Sequence, residues 1–137
     1  MIAFDTDVLV EILRENPAFA DRARKIPIVE RFVVVVEEIL RARLNAIRQT
    51  ESRNLRLSLP RAYELFARSL QELVYFAMLP FTAEAEALFH EFRGRKIRVG
   101  TRDLRIASIC VVHRIKLASR NRRDFDLVPG LDVEYWT

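Results

Sequence analysis

Four carboxylates stand where apolar runs give way to polar sequence: Asp5 after Ile2-Ala3-Phe4, Glu38 after Phe32-Val33-Val34-Val35-Val36, Asp103 behind Gly100-Thr101-Arg102, and Asp124 in Asn121-Arg122-Arg123-Asp124-Phe125. They lie 33, 65 and 21 residues apart. In an open α/β sheet the ligand crevice lies outside the carboxyl ends of the strands, so positions this distant in sequence can converge. Converging carboxylates repel one another unless a cation sits among them. An all-oxygen donor set without cysteine or a convincing histidine suits Mg²⁺ or Mn²⁺ better than zinc, and such ions activate water and stabilise the oxygens of phosphodiester cleavage. Each acid also has a plain structural use. Asp5 can end a strand, Glu38 can balance a helix dipole, Asp103 can cap a helix and Asp124 can close an Asx turn. Asp7 reads as a cap or an outer support, and Glu37 as turned away from the face of Glu38. Spacing alone leaves both uses open.

Other reactive side chains offer less. Cys110 falls within an apolar helical face and reads as core. One cysteine gives neither an internal disulfide nor a structural zinc site. His90 and His113 are 23 residues apart without a metal or triad pattern, and His113 suits a helix end. Three isolated glycines do not make a phosphate-binding loop. Tyr135 and Trp136 suit packing of a final strand better than stacking on bases.

The elements that must position the acids follow from pattern. Ile2-Ala3-Phe4 reads as a strand, Thr6/Asp7 as a polar cap, and Val8, Leu9, Ile12 and Leu13 as the inner face of a helix. A second helix starts at Pro17. Phe32 to Val36 is an unbroken apolar run rich in valine, as in a strand buried on both faces of a parallel sheet. Periodic apolar positions from Glu38 and again from Pro60 predict two long helices in an antiparallel hairpin, joined by the polar stretch 49–59. Met78-Leu79 is a further short strand, Thr82 caps a helix, and 93–99 is a basic connector ending at Gly100. A helix from Thr101 or Arg102, a strand over Ile115–Ser119, a turn at 121–125 and a last strand near Val133–Trp136 complete an alternating α/β pattern.

At 137 residues, half of them hydrophobic, the chain suits one domain with one core, residues 1–137. No run reaches the roughly 20 apolar residues of a membrane span, and no targeting segment is visible. A soluble cytoplasmic protein without membrane association is expected. The net charge of +4 conceals blocks. Residues 41–62 carry 6 bases and 1 acid, and 93–123 carry 11 bases and 1 acid, whereas 1–40, 63–92 and 124–137 are net acidic. Twenty of the 23 bases are Arg, the residue that grips phosphate with two parallel hydrogen bonds. Arg95, Lys96, Arg98, Arg102, Arg120 and Arg122 are the candidate contacts to a phosphate-bearing polyanion.

Four motifs resemble PIN-domain ribonucleases, specifically the VapC-like toxins of type II toxin–antitoxin modules. They are Ile-Ala-Phe-Asp5-Thr6-Asp7-Val-Leu, Val-Glu37-Glu38-Ile-Leu-Arg41-Ala-Arg, Gly100-Thr101-Arg102-Asp103-Leu-Arg105-Ile-Ala, and Ser119-Arg120-Asn121-Arg122-Arg123-Asp124-Phe125 followed by Val128-Pro129-Gly130-Leu131 and Glu134-Tyr135-Trp136. They occur in family order across essentially the whole chain. The resemblance implies a three-layer α/β/α fold with a central parallel sheet of four to five short strands and a protruding helical hairpin.

It further implies an endoribonuclease using one or two Mg²⁺ or Mn²⁺ ions. Asp5, Glu38, Asp103 and Asp124 match the family's catalytic and metal-binding acids, with Asp7, Ser119 and Asn121 in support. Val35 stands where the family often carries Ser or Thr, and Asp7 where many relatives carry Asn. RNA as substrate, a cognate antitoxin and a homodimer are the partners implied, the hairpin 38–77 serving as a dimer or antitoxin surface. The alternatives are a non-catalytic RNA-binding protein and a PIN-type nuclease acting on DNA or in RNA maturation.

Overall fold

A computed structural model describes residues 1–34, 36–52 and 57–137. Five short strands form one sheet: Ile2–Phe4 (β1), Arg31–Val34 (β2), Ala77–Leu79 (β3), Lys116–Ser119 (β4) and Val133–Tyr135 (β5). Their order is β3-β2-β1-β4-β5 and every pairing is parallel. The helices are Thr6–Leu13 (α1), Pro17–Arg24 (α2), Glu37–Glu51 (α3), Leu59–Leu73 (α4), Ala83–Gly94 (α5), Thr101–His113 (α6) and the single turn Arg122–Phe125 (α7). The chain divides into two compact units, Met1–Val35 with Ala77–Thr137, and Val36–Phe76.

The first unit holds the sheet. All three residues of β1 are buried, as a central strand covered on both faces requires. One side of the core collects Ala3, Val34, Phe89, Phe92, Leu104, Ile106, Leu117 and Phe125 from strands and helices distant in sequence. Elsewhere Phe4 meets Trp136 edge to face with ring centroids 5.4 Å apart, a geometry in which the positive ring edge meets the negative face. The Arg22 guanidinium lies 4.4 Å from the centroid of the same indole, and Trp136 Nε1 donates to Glu134 at 3.1 Å. Trp136 therefore packs, as its position after the last strand suggests, and is 1% exposed.

Local chemistry fixes the element boundaries. Asn16 caps α2 through Ala18 N–H, with Pro17 in the first helical position where its missing donor costs nothing. Thr82 accepts from Ala85 N–H at 3.2 Å and opens α5. The α6 helix stops at Arg114, whose φ of 55° places it in the left-handed region. His113 Nδ1 sits 2.9 Å from Ile109 O in the last turn of α6, and Cys110 is buried with its thiol pushed up to about 12 by burial and by the nearby Asp5 charge. Neither side chain is arranged for chemistry.

Three boundaries differ from expectation. The cap of α1 is Asp5 itself, not Thr6 or Asp7. The strand expected to run to Val36 ends at Val34, Val35 lies outside the described residues, and Val36 already has helical dihedrals as the residue before α3. Residues 122–125 make one helical turn where a plain turn is expected, because Asn121 accepts from Asp124 N–H.

The second unit is the helix pair α3 and α4. Ser58 caps α4 through Arg61 N–H at 3.3 Å, with Pro60 in its first turn. Arg43 Nε donates to the buried Ser69 hydroxyl at 2.9 Å, tying the helices together. Tyr63, Leu70 and Val74 of α4 and its C-cap, with Tyr75 just beyond, remain exposed. Among the described residues no helix is long and apolar enough to cross a membrane.

Candidate active site

The sheet order puts a topological switch between β1 and β4. The chain builds outward from β1 through β2 to β3, then returns to the other side of β1 for β4 and β5. A crevice forms at such a point beyond the carboxyl ends of the strands. Register pairs Phe4 with Ala118, and Asp5 N–H donates to Ala118 O at 2.9 Å. The next residue of each strand end is therefore chemical: Asp5 on one and Ser119 on the other.

Ser119 Oγ donates to Asp5 Oδ2 at 2.8 Å, and Thr6 N–H donates to Asp5 Oδ1 at 2.8 Å. The same serine hydroxyl accepts from Asn121 N–H at 3.0 Å. Asn121 Nδ2 then reaches both other acids, Asp103 Oδ2 at 3.1 Å and Asp124 Oδ2 at 2.9 Å. Three carboxylates from three distant motifs thus share one hydrogen-bonded chain, with Ser119 and Asn121 as its links.

Asp103 lies in the first turn of α6, whose positive dipole end favours a carboxylate. It is not the cap, since Gly100 takes that place. Arg102 Nη2 stands 3.5 Å from Asp103 Oδ1.

Electrostatics mark the site as short of positive charge. Asp5 is only 4% exposed; its pKa rises from 3.8 to about 6 through burial first, then through the neighbouring Asp7 and Asp103 charges, against the lowering effect of its bonds from Ser119 and Thr6. Burial also raises Asp7. Asp7 Oδ2 accepts from Arg120 N–H at 3.3 Å, while its Oδ1 is buried without a hydrogen-bond partner. A buried acceptor of this kind is costly unless something positive meets it.

The remaining sequence candidates are distributed unevenly. Glu38 occupies the second position of α3, in the other unit, and is half-buried while Glu37 is exposed. Arg120 reaches Glu11 at 3.7 Å and lies over Phe19, and Arg122 lies 4.1 Å from the Tyr135 ring centroid with Asp126 at 4.0 Å. Both are already engaged by carboxylates and rings. Arg95, Lys96 and Arg98 are exposed. Sequence reasoning passed over Arg93, Arg105 and Phe81. The available signal was the helical spacing that sets Arg93 one turn beyond Phe89 on α5.

The PIN-domain family profile matches residues 2–131, nearly the whole chain. The chain belongs to the PIN-domain family. Its fold resembles one chain of the VapBC2 structure from Rickettsia felis bound to promoter DNA, at 16% identity and TM-score 0.72, covering 100% of both chains. FitAcB from Neisseria gonorrhoeae matches at 22% identity and TM-score 0.76, covering 97% of this chain and 96% of that one. A toxin–antitoxin complex from Klebsiella pneumoniae matches at 16% identity and TM-score 0.67, with 96% and 95% covered. No curated protein matches the chain significantly in sequence. The α/β/α architecture around a five-stranded parallel sheet is that of a PIN domain.

PIN-domain toxins are nucleases and generally use divalent metal ions. The donor chemistry here fits such an ion: carboxylate oxygens only, an orphaned buried oxygen on Asp7, and a depleted positive charge around Asp5. Among the described residues no three acidic, histidine or cysteine side chains already stand close enough to form a closed ligand set. Ser119 instead fixes the Asp5 carboxylate, and the Asn121 amide holds those of Asp103 and Asp124 on one shared nitrogen.

Proposed function

We propose that this PIN-domain protein is a Mg²⁺- or Mn²⁺-dependent endoribonuclease and the toxin of a type II toxin–antitoxin pair. The observation that carries the reading is the bonded chain from Asp5 through Ser119 and Asn121 to Asp103 and Asp124. Asp5 and Asp103 are the chief holders of one or two divalent ions, with Asp124 and Glu38 binding directly or through water. When bound, the ion supplies a water activated for attack and neutralises charge on the scissile phosphate.

The chain's own groups do the positioning. Ser119 orients the Asp5 carboxylate, and Asn121 orients those of Asp103 and Asp124, the kind of outer support that keeps ligand geometry fixed. Asp7 supplies a further negative oxygen beside Asp5. Arg95, Lys96, Arg98, Arg102, Arg120 and Arg122 form the positive surround that lets RNA approach an acidic centre. Residues 1–137 act as one nuclease domain, in keeping with a family profile that runs through both compact units.

Cleavage of total RNA is expected with Mg²⁺ or Mn²⁺ and not with EDTA. Water attack without the ribose 2′-hydroxyl leaves 5′-phosphate and 3′-hydroxyl ends, so cyclic phosphate products, or cleavage indifferent to EDTA, sink the mechanism. A cytoplasmic homodimer held inactive by a cognate antitoxin is the matching biology, by likeness to structures solved as VapBC and toxin–antitoxin complexes. Expression alone is then expected to arrest growth, and co-expression of a small neighbouring reading frame to restore it. A housekeeping nuclease predicts neither effect.

A further inference from the structure

The first turn of α6 has a second side, away from the acids, where two arginines meet one aromatic ring. The Arg93 guanidinium carbon lies 5.6 Å and that of Arg105 5.5 Å from the centroid of Phe89. Phe81 stands edge to face against the same ring at 6.2 Å, itself 39% exposed. Arg93 Nη1 donates to Thr101 Oγ1 at 3.3 Å, which ties the cluster to the first residue of the helix that carries Arg102 and Asp103. Thr101 and Arg105 share a face of α6, being four residues apart.

Among the described residues neither Arg93 nor Arg105 has a carboxylate partner, although α5 also carries Glu84, Glu86 and Glu91. Most other arginines with a resolved contact spend it on an acid, as Arg22, Arg24, Arg61, Arg68, Arg120 and Arg122 do. Both guanidiniums lie over the buried Phe89 ring and are exposed, so each keeps outward N–H donors. Phosphate is the anion that matches the guanidinium fork. An exposed ring beside that anion is a platform for a base.

The geometry points to a nucleotide subsite for single-stranded RNA at Arg93, Arg105 and Phe81, holding a phosphate and a base away from the cut. It rests on the nuclease reading for its substrate. The strongly basic character of 93–123, with 11 bases and 1 acid, favours a polyanion over a second copy of the chain as occupant.

The test measures binding of a fluorescently labelled single-stranded RNA to the full chain in EDTA, where cleavage is suppressed, across a range of salt. Arg93→Gln with Arg105→Gln keeps much of the aliphatic cover over Phe89 and removes two charges. Affinity is expected to fall at least tenfold, and the log–log salt slope to shrink by about 0.7, the value for one phosphate contact. Phe81→Ala is expected to weaken binding about fivefold to a hundredfold with the slope unchanged, because stacking releases no counterions. Phe81→Trp should restore it. Thermal melts check that each variant folds, and Phe81→Leu replaces Phe81→Ala if the latter does not.

Unchanged affinity and slope in the arginine pair overturn the subsite while leaving the nuclease reading intact. RNA binding that depends on the pair, in a protein that cuts no RNA with any metal, sinks the nuclease reading and keeps the surface. Loss of self-association with RNA binding unaltered assigns the patch to a second copy and overturns the proposal.

Discussion

Asp5→Asn is expected to abolish RNA cleavage and, in the same protein, to raise the stability of the metal-free fold at neutral pH. The two effects have one cause. Asp5 is buried beside Asp7 and Asp103, and its folded pKa is about 6 against a reference of 3.8. A carboxyl whose folded pKa is raised holds its proton more tightly in the native state. Its contribution to stability is complete below about pH 4, falls as pH rises toward 6, and is lost above that.

The displacement corresponds to at most about 3 kcal/mol. Asparagine removes the charge and with it the pH dependence. Its amide can still accept from Thr6 N–H and meet Ser119, with some loss of bond quality, so a net gain of about 1–3 kcal/mol at pH 7.5 is expected, and much less at pH 4. Melts in EDTA at the two pH values measure it. Mn²⁺ is expected to raise the wild-type melting temperature and to leave the variant nearly unmoved, since only a native-state ligand shifts stability. Cleavage should drop at least about a hundredfold, because the metal's charge stabilisation is worth several kcal/mol and each 1.4 kcal/mol is tenfold in rate. Wild-type turnover in Asp5→Asn, or a loss of stability at pH 7.5, refutes the assignment of Asp5.

Much of this site is legible in sequence because its parts are local. The apolar run Ile2-Ala3-Phe4 must be a buried strand, so the acid after it must fall at a strand end. Gly100 and Thr101 break from a basic connector into a helix, so Asp103 must lie in its first turn. What spacing leaves open is which strand ends meet. That depends on β4 returning to the far side of β1, a non-local pairing that sets Asp5 beside Ser119, 114 residues away.

The cap of α1 was misread for a related reason. An Asp ending a strand and an Asp opening a helix look alike when a single residue does both, as Asp5 does. Helical spacing sets Arg93 one turn beyond Phe89, but Arg105, 12 residues further on and on a different helix, leaves no periodic trace that joins it to the cluster. Short range order predicts the elements; the tertiary crossing decides which side chains share a site.

Asn121 carries the second large effect, and its two roles separate by substitution. Its Oδ1 accepts from Asp124 N–H at 3.3 Å and caps the last turn, while its Nδ2 bridges Asp103 and Asp124. Serine is as good a cap as asparagine, but its single short hydroxyl cannot cap and also donate to both carboxylates. Asn121→Ser should therefore fold with stability within about 0.5 kcal/mol of wild type, whereas Asn121→Ala, which loses the cap too, should cost about 1 kcal/mol. Both should lose 10- to 100-fold in cleavage or in Mn²⁺ affinity, the usual effect of removing a group that orients metal ligands. Calorimetric titration of Mn²⁺ into the cleavage-competent protein, alongside turnover and denaturant melts, reads all three quantities. Full activity in Asn121→Ser would reduce Asn121 to a helix cap. A loss of Mn²⁺ affinity with the fold intact would make it the residue that keeps Asp103 and Asp124 aimed at a common ion.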